Sequence, residues 1–179
     1  AKGAPKLIPG SKFSIQIATE IACDKFQHHI PLERQRQKMK NALLNVSVKT
    51  LFSLTQHLYN LLYPLNEMNR LDIIDGECTC IDESPVPFYN PNKSLGYVWS
   101  MSNNVGAYYQ FEATRSGSVA KEMLSGFHGI AITDGYDGYN FLNHAEGIVH
   151  AYCWSHMRRY FFDAMSEKGH AGEVIDHID

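Results

Sequence analysis

The texture of the chain changes at Leu71, and no other feature limits its folds as much. Before that point the apolar residues recur at helical spacing, Ile17, Ala18, Ile21, Ala22 and Phe26 over Ser14–His29 and then Leu51, Leu54, Leu58, Leu61, Leu62 and Leu65. Between them a polar and basic segment from Pro31 to about Lys40 carries Arg34, Arg36, Lys38 and Lys40, and Asn45-Val46-Ser47 supplies a turn and a helix cap. Pro64 predicts a kink near the end of the long helix. After Leu71, alternation takes over. Glu77–Asp82, Gly96–Ser102 and Ala107–Ala113 read as strands, and Asn103-Asn104-Val105-Gly106 marks a hairpin between the last two. A helix over Ser118–Leu124, a buried strand over Gly129–Asp134 and a short helix around Tyr139–Asn143 follow. A strand over Gly147–Tyr152 and a helix over Trp154–Glu167 complete the order β-β-β-α-β-α-β-α.

Charge divides at almost the same place. The net charge of the 179 residues is −3, which by itself disfavours a nucleic-acid partner. Residues 1–70, however, hold ten basic and four acidic side chains, net +6, whereas residues 71–179 hold six and fifteen, net −9. A basic part joined to an acidic part suits a nucleic-acid-binding region beside a metal-binding or catalytic one, and two solvated surfaces are the alternative. No run reaches the roughly 18–20 apolar residues of a membrane span, so a soluble chain is expected. The four cysteines, Cys23, Cys78, Cys80 and Cys153, are too sparse for a disulfide scaffold and fit a reducing cytoplasm. The start, Ala-Lys-Gly-Ala-Pro, lacks an initiator Met and a signal-peptide layout, which predicts a piece of a longer protein.

Two aspartates stand where strands are expected to end, Asp82 in Ile81-Asp82-Glu83-Ser84-Pro85 and Asp134 in Ile132-Thr133-Asp134-Gly135-Tyr136. Acids so placed escape the core, and if their strands are neighbours they converge as hard oxygen ligands for Mg²⁺ or Mn²⁺. Two such ions would clamp the attacking and leaving oxygens of a phosphoryl transfer. The alternative is that each is a turn residue bonding its own backbone. Glu83 and Asp137 read as solvated loop acids. Cys153-Trp154-Ser155-His156 is a C-x-x-H that could join Cys78 and Cys80 in a zinc site, or else be buried thiols and a hydrogen-bonded histidine. Arg115, Lys121, Arg158 and Arg159 are cations of the acidic part that could hold DNA phosphates or bond nearby acids. In the basic part the two helices flanking Leu44–Ser47 resemble a helix-turn-helix, which would direct Lys49, Thr50, Ser53 and Gln56 toward a groove.

Taken in order, several segments resemble the transposases of the bacterial insertion-sequence sixty-six family. They are Ile30-Pro31-Leu32-Glu33-Arg34-Gln35, Asp82-Glu83-Ser84-Pro85-Val86-Pro87, Tyr97-Val98-Trp99, Arg115-Ser116-Gly117, Leu124–Gly129, Asp134-Gly135-Tyr136-Asp137-Gly138-Tyr139 and His150–Phe161. The Asp-Gly-Tyr-x-Gly-Tyr and Cys-Trp-x-His-x-Arg-Arg-x-Phe blocks are specific when they occur together. The resemblance implies an α/β, ribonuclease-H-like mixed sheet of three antiparallel and two parallel strands with flanking helices, preceded by an all-helical N-terminal region. It divides the chain into a linker (1–12), a helix-turn-helix-like basic region (13–70), an incomplete catalytic core (71–168) and the start of a truncated helical segment (169–179).

The activity so implied is that of a DDE transposase, metal-dependent DNA cleavage and strand transfer at transposon ends. Asp82 and Asp134 match the first and second acids and would hold Mg²⁺ or Mn²⁺ in a two-metal site. The third acid of the family is a Glu in an Asn-rich context; Glu167 and Glu173 come too early and lack it, so the piece is expected to be inactive alone. Arg115, Arg158, Arg159 and Lys49 would contact DNA, and Cys153 and His156 would be structural near the site. Implied partners are transposon-end and target DNA, a second copy in a synaptic complex, and accessory proteins of the element, with no membrane and a cytoplasmic, nucleoid-associated location. A helix-turn-helix module without catalysis and a zinc-stabilised structural domain are the competing readings.

Overall fold

The computed structural model describes residues 4–90 and 93–164. The chain divides into two compact units, Ala1–Leu65 and Asn66–Asp179.

In the first unit, α1 (Ile15–Phe26) and α2 (Leu32–Asn41) precede α3 (Val48–Ile74), which begins in this unit and ends in the second. Each start has a local cause. The Ser14 hydroxyl accepts the Ile17 N–H (3.4 Å), Pro31 precedes α2, and the Ser47 hydroxyl accepts the Thr50 N–H (3.1 Å) at the start of α3. Ala18, Ile21, Val46, Leu51 and Leu54 form the core of the unit. Gln35 is buried within it because its Nε2 donates to the carbonyls of Ile21 (3.2 Å) and Ile30 (3.0 Å), tying α2 back to α1. The region is not all-helical, contrary to expectation. Residues 4–14 form turns and irregular backbone, since Pro5 and Pro9 have no N–H to give and Gly10 sits at φ 75°. They are nonetheless packed, with Leu7, Ile8 and Phe13 against the core and the Ile15 N–H on the Pro5 carbonyl (2.9 Å). Pro64 lies inside α3, which continues for ten residues beyond it.

The second unit is built on a five-stranded mixed sheet. Its strands are β1 (Cys78–Asn90), β2 (Lys93–Ser102), β3 (Ala107–Glu112), β4 (Gly129–Thr133) and β5 (Ile148–Tyr152), in the order β3-β2-β1-β4-β5. β1 to β3 form an antiparallel meander, and β4 and β5 run parallel to β1. The β2–β3 turn is closed by Asn103, whose Oδ1 accepts the N–H groups of Val105 (2.9 Å) and Gly106 (3.2 Å). One face of the sheet is the core. Thr79 and Ile81 of β1, Trp99 and Met101 of β2, Tyr108 of β3 and Ala131 of β4 are buried, against Val119, Ala120 and Met123 of α4 (Gly117–Met123). Tyr139 and Leu142, from the 3₁₀ segment Asp137–His144, fill the rest. α5 (Trp154–Ala164) follows β5. Among the described residues no helix is long and apolar enough to cross a membrane. Glu167, Glu173, the expected end of the last helix and segment 169–179 lie outside the described residues.

One expectation about β1 is corrected. Asp82 does not end the strand, because β2 continues to pair with β1 through Pro87↔Leu95. What ends there is the parallel pairing with β4, whose last row near the site is Cys80↔Ile132. Pro85 and Pro87 lie in this outer stretch. Proline cannot donate to a ladder, and two prolines two residues apart withhold their N–H groups from the same edge, so they suit a strand with one neighbour there.

Candidate active site

The two aspartates follow one row of the sheet. Asp82 stands two residues beyond Cys80, and Asp134 two residues beyond Ile132, its parallel partner. Both therefore follow the same paired row by two residues, Asp134 just after the end of β4 and Asp82 inside β1 where its pairing with β4 has stopped. Asp82 is half-buried, and its Oδ1 accepts the Glu83 N–H (2.9 Å). Asp134 is 9% exposed, and its Oδ1 accepts the Tyr136 N–H (2.9 Å). Each acid thus bonds its own backbone, as a turn residue would. A carboxylate offers about four acceptor positions, so one such bond leaves room for a cation.

Two carboxylates in register fit Mg²⁺ or Mn²⁺, which keeps several waters and takes ligands from substrate phosphate. Among the described residues no three His, Cys, Asp or Glu side chains are grouped to hold a metal. The Cys78, Cys80, Cys153 and His156 grouping considered for zinc is therefore not formed. These thiols still sense one another: burial first, then the proximity of Cys78 and Cys153, raises the Cys80 pKa above its ordinary value. All four cysteines are free thiols. His156 Nδ1 is buried without a hydrogen-bond partner.

Glu83 is not the solvated loop acid its sequence context suggested. One residue on from Asp82, it points to the opposite face of β1, and its side chain is completely buried. Arg115 meets it with two N–H groups, Nε and Nη2, each 2.6 Å from Oε1. The Tyr139 hydroxyl donates to Oε2. The Arg115 guanidinium carbon also lies over the Tyr136 ring, 4.0 Å from its centroid, and the Arg115 carbonyl accepts the Tyr136 hydroxyl (2.7 Å). Tyr139 packs edge-on against both Tyr136 (5.9 Å) and Trp99 (6.3 Å), and the Trp99 indole N–H donates to the Thr114 carbonyl (3.2 Å). Burial, the hydrogen bond to Glu83 and the charges of Glu83, Asp134 and Asp82 push the Tyr139 pKa far above the ordinary tyrosine range. For Arg115, partial burial opposes the charge, yet the hydrogen bond to Glu83 and the charges around it raise its pKa further. The alternation of Thr79, Ile81 and Glu83 was a signal that could have placed Glu83 inward.

Behind Asp134, the Thr133 hydroxyl donates to the Asp134 carbonyl (2.7 Å) and lies 2.9 Å from His150 Nε2, while His150 Nδ1 lies 2.8 Å from Asn143 Oδ1. Burial holds the His150 pKa below its ordinary value. Of the expected DNA contacts, Arg159 is exposed, Arg158 half-buried, and Arg115 occupied by Glu83. Lys121 is exposed in the last turn of α4, and Asp137 is exposed at the start of the 3₁₀ segment. In the first unit, Lys49 and Gln56 are exposed on α3, Thr50 and Ser53 are half-buried, and Arg36 is paired with Glu33.

Residues 10–179 match the family described as "Transposase IS66 family". Three curated relatives from Sinorhizobium fredii (strain NBRC 101917 / NGR234) are similar to the chain, and all carry the description "uncharacterized protein". They are y4qI (28% identical over 162 residues, 80% of this chain and 30% of the relative), y4hP (26% over 157 residues, 80% and 28%) and y4jD (25% over 187 residues, 94% and 37%). The chain thus spans about a third of the length of the relatives it matches.

Proposed function

The chain belongs to the IS66 transposase family, and on that premise we propose that it carries two acids of a DDE-type catalytic core, Asp82 and Asp134, which hold Mg²⁺ or Mn²⁺ for DNA cleavage and strand transfer. One observation supports the reading: β1 and β4 are parallel neighbours, and each acid comes two residues after their last paired row, Cys80↔Ile132. The strand order β3-β2-β1-β4-β5, with β1–β3 antiparallel and β4 and β5 parallel to β1, supports a ribonuclease-H-like core.

A divalent ion bound there supplies charge neutralisation at the transferring phosphate. Asp82 and Asp134 orient it, each with one oxygen steadied by a backbone N–H. On this reading Arg158 and Arg159, on the helix following β5, contact DNA phosphates; Arg159 is exposed and Arg158 half-buried. Lys49 and its neighbours on α3 extend the grip in the basic unit. DNA ends and target are the substrates, and a second copy and accessory proteins of the element are the further partners on this reading. With two acids and no third grouped beside them among the described residues, the 179-residue chain is expected to bind the ion but not to transfer strands.

Electron paramagnetic resonance of Mn²⁺ titrated into the 179-residue chain tests the site. Asp82→Asn and Asp134→Asn should each weaken binding by at least about tenfold, as loss of a charged oxygen ligand does. Binding unchanged in both variants would sink the two-aspartate site.

A further inference from the structure

The backbone ladder that aligns β1 with β4 stops at Cys80↔Ile132, two residues short of both aspartates. Beyond that row no β1–β4 pair fixes their separation, although Mg²⁺ and Mn²⁺ demand a nearly ideal octahedron with short bonds. Side chains bridge the gap instead. Starting from Asp134, Oδ1 binds the Tyr136 N–H, and the Tyr136 hydroxyl binds the Arg115 carbonyl beneath the stacked Arg115 guanidinium. That guanidinium grips Glu83 with two N–H groups, Glu83 also takes the Tyr139 hydroxyl, and Glu83 is the covalent neighbour of Asp82. The circuit closes from one acid to the other. We infer that Glu83, Arg115, Tyr136 and Tyr139 form a lock that sets the spacing of Asp82 and Asp134, and that Arg115 is a positioning residue rather than a phosphate ligand.

Chemistry favours this role. A forked guanidinium held by a fully buried carboxylate and stacked on an aromatic ring is the geometry in which arginine is rigid, and lysine cannot reproduce it. The carboxylate is buried while the guanidinium is 43% exposed, so the pair closes the core side of the site and the charge of Arg115 is committed inward. Two glycines admit the arrangement. A Cβ at Gly117 would fall 2.0 Å from the Gly138 carbonyl oxygen, and one at Gly138 would strike the Tyr136 ring at 2.2 Å.

This inference rests on the two-aspartate site, but its first test does not. Amide hydrogen exchange of the metal-free 179-residue chain reads the lock directly. In Tyr139→Phe and Arg115→Lys the Tyr136 amide should exchange at least about tenfold faster while the Ile132 amide, in the β4 ladder, stays protected. Mn²⁺ and Ca²⁺ titrations of the same variants read the consequence. Mn²⁺ affinity should fall about tenfold and Ca²⁺ affinity by less than about twofold, because Ca²⁺ tolerates looser geometry. Met123→Ala, a core truncation outside the lock, should lower the melting temperature without changing the Mn²⁺/Ca²⁺ ratio. Unchanged Tyr136 exchange in both variants overturns the lock, as does a loss of the two ions in equal proportion. Faster Tyr136 exchange in a chain whose Mn²⁺ binding ignores Asp82 and Asp134 keeps the lock and removes the metal site.

Discussion

Successive side chains of a strand face opposite ways, and at Asp82 and Glu83 that one step separates an acid available to a cation from an acid committed to the core. Neighbouring carboxylates would repel if they shared a face. Here the inward one is matched by Arg115 and Tyr139, so the buried charge of Glu83 is compensated. His150 shows a second residue-scale effect. Burial holds its folded-state pKa below the ordinary value near 6.5, so in acid the unfolded chain takes up the proton first. Stability contributed by the neutral ring is present above about pH 6.5 and is lost as the pH falls from there toward the folded-state pKa. His150→Gln should therefore flatten this part of the profile. The drop in melting temperature between about pH 7.5 and about pH 5.5 should be smaller in the variant than in the parent; equal drops would show that His150 contributes nothing to acid sensitivity.

At the scale of elements, β1 does two jobs along its length. Its first three residues pair with β4, Cys80 pairs with β2 as well, and from Ile81 onward only β2 accompanies it, the stretch in which the two prolines lie. Change of role, rather than end of strand, opens space for the acid. α4 and the 3₁₀ segment then close over the core face, and they meet at Gly117 and Gly138. Gly117→Ala places a methyl group against backbone that cannot swing aside. It should destabilise the chain by about 1–3 kcal/mol, the usual range for overpacking, read as a lower urea midpoint. It should also speed Tyr136 exchange, because the segment carrying Tyr139 is displaced; an unchanged midpoint would mean that the segment yields freely.

For the whole molecule, the net charge of −3 conceals opposite halves, and the basic one contains the exposed Lys49. If α3 holds DNA through phosphates, Lys49→Ala should weaken binding about equally for all sequences and reduce the slope of log affinity against log salt by about 1, whereas Arg115→Lys should leave that slope unchanged. Filter binding at several salt concentrations checks both, and a slope insensitive to Lys49 would remove it from the interface. Most of the elements were legible in the chain itself, because period 3.6 before Leu71 and period 2 after it are imposed by backbone geometry. Ser14, Ser47, Ser116 and Asn103 mark boundaries through bonds reaching only two or three residues. The same local patterns singled out Asp82 and Asp134. They placed Asp82 at a strand end, however, since nothing local distinguishes the end of a strand from the end of one of its two pairings. Glu83 and Arg115 are 32 residues apart, and Glu83 and Tyr139 are 56 apart; no periodicity spans such gaps. The sequence alone determined the elements, the charge split and the family, all of which rest on short-range pattern. Only the tertiary structure decided that β4 lies beside β1, so that Asp82 and Asp134 follow the same paired row, and that Glu83 turns inward to Arg115, because strand pairing and buried-charge compensation are long-range contacts that exist only once the sheet is assembled.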